Sequence, residues 1–230
     1  MLSNILVETN QLSLVNLYDT ACGDLSQFVE LSVVRLDPDF NFKSYLSWFD
    51  NTRQCDILSF YHKKDQLSSF VSKLLQHYYL ARRYNISPHE LQIDHTEYGK
   101  PYIANPGLIN RISFNISHSN SYVVLAIFDG ELYNIGVDVE EIDYNNTEIK
   151  AMSALVFSPS ECAIVGNSSE LFYKLWTKKE ALIKAHGSGF GTALYMKTNL
   201  NLNNVEQTAA YIITTRVLDN YFLSICLSKK

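Results

Sequence analysis

FYKLWTKKEALIKAHGSGF, residues 172 to 190, reads as one helix ending at a glycine, with charged residues packed in among its apolar ones. At 3.6 residues per turn, Leu171, Phe172, Leu175, Trp176, Leu182 and Ile183 fall into a single apolar stripe, and Gly187 is the C-terminal stop. Lys179 lies in the middle of that stripe. Glu180 and Lys184, one turn apart, run along its edge on the Trp176 side, so both project from the boundary between core and solvent. A solubilising face would carry its charges on the opposite side.

The rest of the chain bounds what these charges can serve. At 230 residues, 47% hydrophobic and 13% aromatic, it can bury one large core or two smaller ones. A formal net charge of -5 lacks the basic excess of a general nucleic-acid binder, but leaves room for a local anion pocket. Cys22, Cys55, Cys162 and Cys226 make no CxxC pair, so neither a zinc knuckle nor a dense disulfide framework is indicated and reduced thiols are expected. The first basic residue is Arg35, which speaks against a secretory or transit segment at the start. The longest apolar run, Tyr122 to Phe128, is too short to span a bilayer. Together these features predict a cytoplasmic protein without membrane or nucleic-acid partners.

Periodicity supplies the other elements. Phe28 to Leu36 alternates as a strand. Asp65 reads as an N-cap, and the spacing of Leu67, Phe70, Val71, Leu74, Leu75, Tyr78 and Tyr79 predicts a helix over Gln66 to Tyr84. Ile112, Phe114 and Ile116 alternate with polar residues, and the tetrad His118 to Ser121 separates them from YVVLAIF, which predicts a β-hairpin. NIGVDVE, Asn134 to Glu140, is a further strand. Its Ile135, Val137 and Val139 point one way, and Asp138 and Glu140 stand side by side on the other face. Ser158-Pro159-Ser160-Glu161 has the spacing of a capping box with Pro at the first helical position. Thr208 to Ser228 reads as two strands turning near Asp219-Asn220. Helix and strand patterns run twice, with a seam between Gly130 and Gly136, so the expected units are residues 1–133 and 134–230.

Two carboxylates on one strand face and a third on a helix edge beside lysines can hold a hard divalent cation and a phosphate chain together. Mg²⁺ takes oxygen ligands and fills its remaining positions with water and substrate phosphates. Lysine then neutralises phosphate charge. Taken singly, each feature is more often a solvated strand end or an i, i+4 surface pair. Their combination carries the argument.

Four blocks in order, GKP at Gly99, Lys100 and Pro101, FNISHS at Phe114 to Ser119, GVDVE at Gly136 to Glu140 and FYKLWTKKEALIKAHGSGF, resemble the signature blocks of the 4'-phosphopantetheinyl transferases. FYHKKD at Phe60 to Asp65 is similar to the longer, surfactin-synthetase-activating (Sfp) type, and the resemblance extends over roughly residues 60 to 190. It implies an α+β fold of two pseudo-twofold related subdomains, the second carrying the metal site, with coenzyme A in the cleft between them. The implied activity is holo-[acyl-carrier-protein] synthase. Phosphopantetheine moves from coenzyme A to a serine of an apo carrier protein, releasing adenosine 3',5'-bisphosphate, in a monomeric, Mg²⁺-dependent enzyme.

By the same resemblance Asp138, Glu140 and Glu180 are the metal ligands, and Lys184, with Lys179, contacts the pyrophosphate. Lys100, Ser117 and His118 hold the nucleotide and its phosphates, with Gly99, Pro101 and Asn115 beside them. Glu180 is the expected base, acting directly or through water, and Lys184 and His118 complete the catalytic set. The pattern departs from the family at Ser68 and Ser69, where an arginine for the 3'-phosphate is expected. Arg53 is the nearest upstream substitute, followed by Lys63 and Lys64. Two other classes use the same residues, namely a Mg²⁺-dependent nucleotide pyrophosphohydrolase and a catalytically silent carrier-binding module.

Overall fold

Residues 29–189 and 198–230 are described by the computed structural model. Cys22, Phe28 and Phe190 lie outside the described residues. In chain order the elements are β1 (Val29–Arg35), a 3-10 turn over Phe42–Trp48, α1 (Asn51–Leu58), α2 (Lys63–Leu74), a π turn over Leu75–Tyr79 and α3 (Leu80–Arg83). A short hairpin β2 (Ile93–His95) and β3 (Pro101–Ile103) precedes β4 (Ile112–Ser119), β5 (Tyr122–Asp129) and β6 (Tyr133–Glu141). After these come α4 (Ile149–Val156), α5 (Pro159–Val165), α6 (Ser169–His186), β7 (Val205–Gln207), β8 (Tyr211–Leu218) and β9 (Tyr221–Lys229). The fold is α+β.

Besides the two-stranded β2-β3 sheet, two larger antiparallel sheets form among the described residues, in the orders β1-β5-β4 and β6-β9-β8-β7. YVVLAIF becomes β5, the middle strand of the first. Because side chains alternate along a strand, Val123, Leu125 and Ile127 pack with Phe70 and Leu74 of α2 and Leu75 of the π turn, while Val124, Ala126 and Phe128 pack with Ile135, Val137 and Val139 of β6. A run with no polar alternation is what a strand buried on both faces requires. The first sheet is thus covered by α2 on one side and meets the second sheet on the other.

The second sheet carries α6 on its outer face, where Phe172, Leu175, Ala181, Leu182 and Ala185 join Ile213 and Cys226 in a third cluster. Gly136 sets how closely the helix can sit. A Cβ there would fall 2.1 Å from the Ala181 carbonyl oxygen and 2.3 Å from the Ala185 nitrogen, so the helix backbone rests directly on β6. Gly187 takes φ 74° at the C-cap, the left-handed conformation that ends a helix without a Cβ penalty.

The helix predicted over Gln66 to Tyr84 is present but begins at Lys63, with His62 as N-cap and Asp65 inside the first turn. The continuous apolar spacing hides a change of winding at Leu75–Tyr79. The capping box forms as read, Ser158 accepting from the Glu161 N–H and Glu161 accepting from the Ser158 N–H. The sequence reading did not anticipate α1, α4, the β2–β3 hairpin or β7. The described cysteines, Cys55, Cys162 and Cys226, are free thiols, and no helix among the described residues is long and apolar enough to cross a membrane.

Candidate active site

The block FNISHS has its polar residues at period two, and the structure shows what that period serves. β4 and β6 are edge strands of different sheets, lying side by side. The β6 N–H groups that face β4 donate not to its backbone but to its side chains: Ile135 N to Ser113 Oγ at 3.0 Å, Val137 N to Asn115 Oδ1 at 2.9 Å, Val139 N to Ser117 Oγ at 3.3 Å and Glu141 N to Ser119 Oγ at 3.2 Å. Each buried backbone donor on an edge needs an acceptor, and a ladder of short polar side chains supplies four. This seam fixes the register of one sheet against the other.

At the seam lie the acids. The Ser117 hydroxyl donates to Asp138 Oδ1 at 2.9 Å, and Ser119 Oγ donates to Glu140 Oε2 at 3.0 Å. From above, α6 brings Lys184, whose Nζ lies 2.6 Å from Asp138 Oδ1 and 3.2 Å from Ser117 Oγ. Glu180 stands one helical turn away, 5% exposed. Burial, with Asp138 next, pushes the Glu180 carboxyl up to about 7. Burial likewise raises Asp138, against the pull of Lys184, and raises Glu140, with Asp138 adding to it. The charge of Asp138 disfavours that of Glu140 and Glu180, and the Lys184 ammonium acts on all three.

Beside them opens a cleft of about 380 Å³, lined by Gly99, Lys100 and Pro101 of the β2–β3 turn, Asn115, Glu180 and Lys184, among others. That volume suits a small-molecule ligand. Gln76, from the π turn, also lines it, and no sequence signal marked that residue. His118 lies near the end of β4 with part of its surface open, and desolvation of its imidazole, followed by the charge of Lys184, lowers its pKa.

Comparison with known proteins decides the family. Residues 38–128 match the model described as 4'-phosphopantetheinyl transferase, N-terminal, and residues 134–226 match that of the 4'-phosphopantetheinyl transferase superfamily. A 4'-phosphopantetheinyl transferase of Bacillus subtilis, ffp, is 30% identical over 183 residues, 74% of this chain and 78% of that one. The chain belongs to the 4'-phosphopantetheinyl transferase superfamily. The Sfp transferase of Bacillus subtilis strain 168 is 27% identical over 192 residues, 79% of this chain and 83% of that protein. The pptA transferase of Paxillus involutus is 30% identical over 172 residues, 67% of this chain, and the match spans 65% of that relative's length.

Not every residue carried over from the transferase pattern joins the acid cluster. Lys179 is turned away from it. Its Nζ lies 2.8 Å from Glu161 Oε2 and donates to the Thr198 carbonyl at 3.0 Å, with the side chain 2% exposed. Lys178 is likewise buried against Glu206 at 2.8 Å. The Lys100 ammonium donates to the carbonyls of Ala185 at 2.7 Å and Ile135 at 3.0 Å, and burial lowers its pKa to about 8. As it stands, it holds the last turn of α6 to the start of β6. Arg53 donates to His77 Nε2 at 2.9 Å and is ion-paired with Asp50, in a separate depression with Trp48, Tyr78 and His89. Ser68, at the departure from the pattern, is buried and bonded back to the Lys64 carbonyl.

Among the described residues no three His, Cys, Asp or Glu side chains are gathered tightly enough to enclose a metal as they stand. Yet Asp138 Oδ2 and Glu180 Oε1 are buried and have no hydrogen-bond partner there. A buried carboxylate oxygen without a donor is costly, and a hard cation is the ligand that would satisfy it. Donor type and charge therefore fit Mg²⁺, while Lys184 holds the remaining Asp138 oxygen.

Proposed function

We propose that this protein transfers the 4'-phosphopantetheine group of coenzyme A to a serine of an apo carrier protein, releasing adenosine 3',5'-bisphosphate. The observation that carries the reading is the buried Asp138 carboxylate shared by Ser117 and Lys184, one turn of α6 from the unpartnered Glu180 carboxyl, at the mouth of the cleft lined by the GKP turn. Homologues named for this transfer support it.

On this reading residues 1–133 and 134–230 are pseudo-twofold related subdomains, and the nucleotide occupies the cleft of Gly99, Lys100, Pro101 and Asn115. Asp138, Glu140 and Glu180 would hold Mg²⁺, which when bound screens the pyrophosphate charge. Lys184 exchanges its carboxylate partner for a phosphate oxygen and stabilises the charge that develops on transfer. His118 and Ser117 orient the phosphates from the β4 side. Glu180 accepts the serine proton, directly or through water. A carboxylate that also ligates Mg²⁺ would have its pKa lowered, which favours the route through water. For the 3'-phosphate the nearest upstream cation is Arg53, which here is paired with Asp50 in a depression separate from that cleft.

Intact mass of an apo acyl carrier protein incubated with the protein, coenzyme A and Mg²⁺ tests the reading. One added phosphopantetheine on the serine is expected. Turnover of coenzyme A without a carrier would instead indicate a pyrophosphohydrolase, and absence of both would indicate a silent binding module.

A further inference from the structure

The cleft has a side that lies away from the acid cluster. β4 runs along it, and its side chains alternate. Asn115 turns to β6 and accepts from the Val137 N–H, while Ile116 packs on the core cluster of Leu75 and Phe114, and both line the cleft. On the Ile116 side the π turn over Leu75–Tyr79 passes by. Its other residues are committed elsewhere. Leu75 is buried in the core, His77 accepts from Arg53 in the separate depression, and the Tyr78 and Tyr79 hydroxyls donate to the Trp48 carbonyl and to Glu30. Gln76 alone of the five turns into the cleft, partly buried, and among the described residues its side-chain amide has no hydrogen-bond partner. A π turn interrupts the regular bonding of a helix, and such turns collect at functional sites. A carboxamide without a partner on the wall of a cleft offers a ligand one donor and one acceptor side by side.

We infer that Gln76 reads the purine base of the nucleotide, its oxygen accepting from the amino group of adenine and its nitrogen donating to the neighbouring ring nitrogen. The inference rests on the transferase reading and names a residue that selects its nucleotide. Chemistry singles out the base among the parts of coenzyme A. The phosphates only accept, and the cation proposed for them, Lys184, stands with Ser117 on the β6 side of β4. The pantetheine arm carries amides that would match a carboxamide, but it leaves the reacting phosphorus in the direction away from the nucleotide. Gln76 lies across the nucleotide cleft from that phosphorus. Adenine sets an amino donor beside a ring-nitrogen acceptor, the pattern that a Gln amide meets with two bonds. Pro101, Ile116 and Ile183 supply apolar walls for the faces of the base.

Gln76→Met keeps the length and the helix propensity of the side chain but neither accepts nor donates in this way. Three probes are titrated calorimetrically with Mg²⁺ and no carrier. They are coenzyme A, adenosine 3',5'-bisphosphate, which has the base without the arm, and purine riboside 3',5'-bisphosphate, which is the same ligand without the amino group. Gln76→Met should bind coenzyme A and adenosine 3',5'-bisphosphate about five- to tenfold more weakly than the wild type. Deleting the amino group of the ligand should weaken the wild type about fivefold and change the variant by no more than about twofold. A variant that binds adenosine 3',5'-bisphosphate as the wild type does overturns the inference. So does a loss confined to coenzyme A, which would put the amide on the pantetheine arm. An amino-group deletion that costs both proteins equally overturns it too, since Gln76 would then only shape the cleft. If the wild type binds neither adenine ligand, it falls as well. If the wild type binds them through Gln76 but adds no mass to an apo acyl carrier protein, base reading stands and the transferase reading falls. If it modifies the carrier and Gln76→Met keeps the wild-type KM for coenzyme A, the transferase reading stands and this inference falls.

Discussion

Glu180 is 5% exposed and its pKa is pushed from 4.5 to about 7, so its charge burdens the metal-free fold. Between those values the folded protein holds a proton that the unfolded chain has released. Stability contributed by the raised pKa is complete below 4.5 and is lost as the pH rises through about 7. A rise of about 2.5 in pKa at ~1.4 kcal/mol per pH unit sets an upper limit of about 3.5 kcal/mol, and local relaxation should bring the realised figure at pH 8 near 2 kcal/mol. Glu180→Gln copies the protonated shape without the charge. In EDTA at pH 8 the variant should therefore be more stable than the wild type by about 2 kcal/mol, roughly 4 to 8 °C in Tm for a chain of this size. At pH 5 the difference should shrink to well under half. Carrier modification should meanwhile fall by orders of magnitude, because the replaced group is the proposed base and a proposed metal ligand. Urea unfolding at the two pH values, with intact-mass rates alongside, reads all three. A variant no more stable than the wild type at pH 8, or equally stabilised at both pH values, refutes the assignment of a strained carboxylate.

Other substitutions probe the remaining parts. Lys184→Ala should cost about 2 to 4 kcal/mol of transition-state stabilisation and raise the KM for coenzyme A, while Lys150→Ala, exposed on α4, should leave steady-state kinetics unchanged. Lys179→Met strands the buried Glu161 carboxylate and should destabilise the fold by about 3 to 5 kcal/mol by urea titration, yet leave the coenzyme A constant of the folded enzyme intact. If that constant rises as much as in Lys184→Ala, Lys179 reaches the phosphates after all. Gly136→Ala forces a Cβ to within 2.1 Å of the Ala181 carbonyl, so α6 must lift, and both Tm and transfer rate should drop together.

The parts of the fold legible in the sequence were those where local periodicity and burial agree. The β4–β5 hairpin, the β6 strand, the Ser158 capping box and the extent of α6 all announce themselves within a dozen residues. What escaped depends on partners distant in sequence. The β2–β3 hairpin is too short to show a period, and the change of winding at Leu75–Tyr79 preserves the apolar spacing it interrupts. Ser113, Asn115, Ser117 and Ser119 show in the sequence only as polar residues at period two. They are instead acceptors for β6, and nothing in FNISHS says which strand will lie alongside. Lys100 shows the same limit. The GKP block marks its position in the fold, but where its ammonium group goes depends on carbonyls 35 and 85 residues away.

The charges of α6 then follow from geometry. At about 100° per residue, Glu180 and Lys184 are only about 40° apart, while Lys178 and Lys179 lie about 120° and 140° from Lys184. The two directions meet different neighbours. Lys184 and Glu180 face β6, where Asp138 sits on the strand face opposite Val137 and Val139. Lys178 and Lys179 face Glu206 and Glu161, which belong to β7 and α5. A helix covered this completely cannot keep an unpaired charge, so each of its buried lysines must find a carboxylate. For Lys178 and Lys179 the partner is enclosed at 0% to 8% side-chain exposure, and the pairs hold the segments on either side of α6 in place. Lys184 differs in being 29% exposed, at the mouth of a cleft, against an acid whose second oxygen is unpartnered. A pair that solvent and ligand can reach is one that can be exchanged. The same residue type on the same helix thus anchors the fold at two positions and, at the third, is free to leave one anion for another.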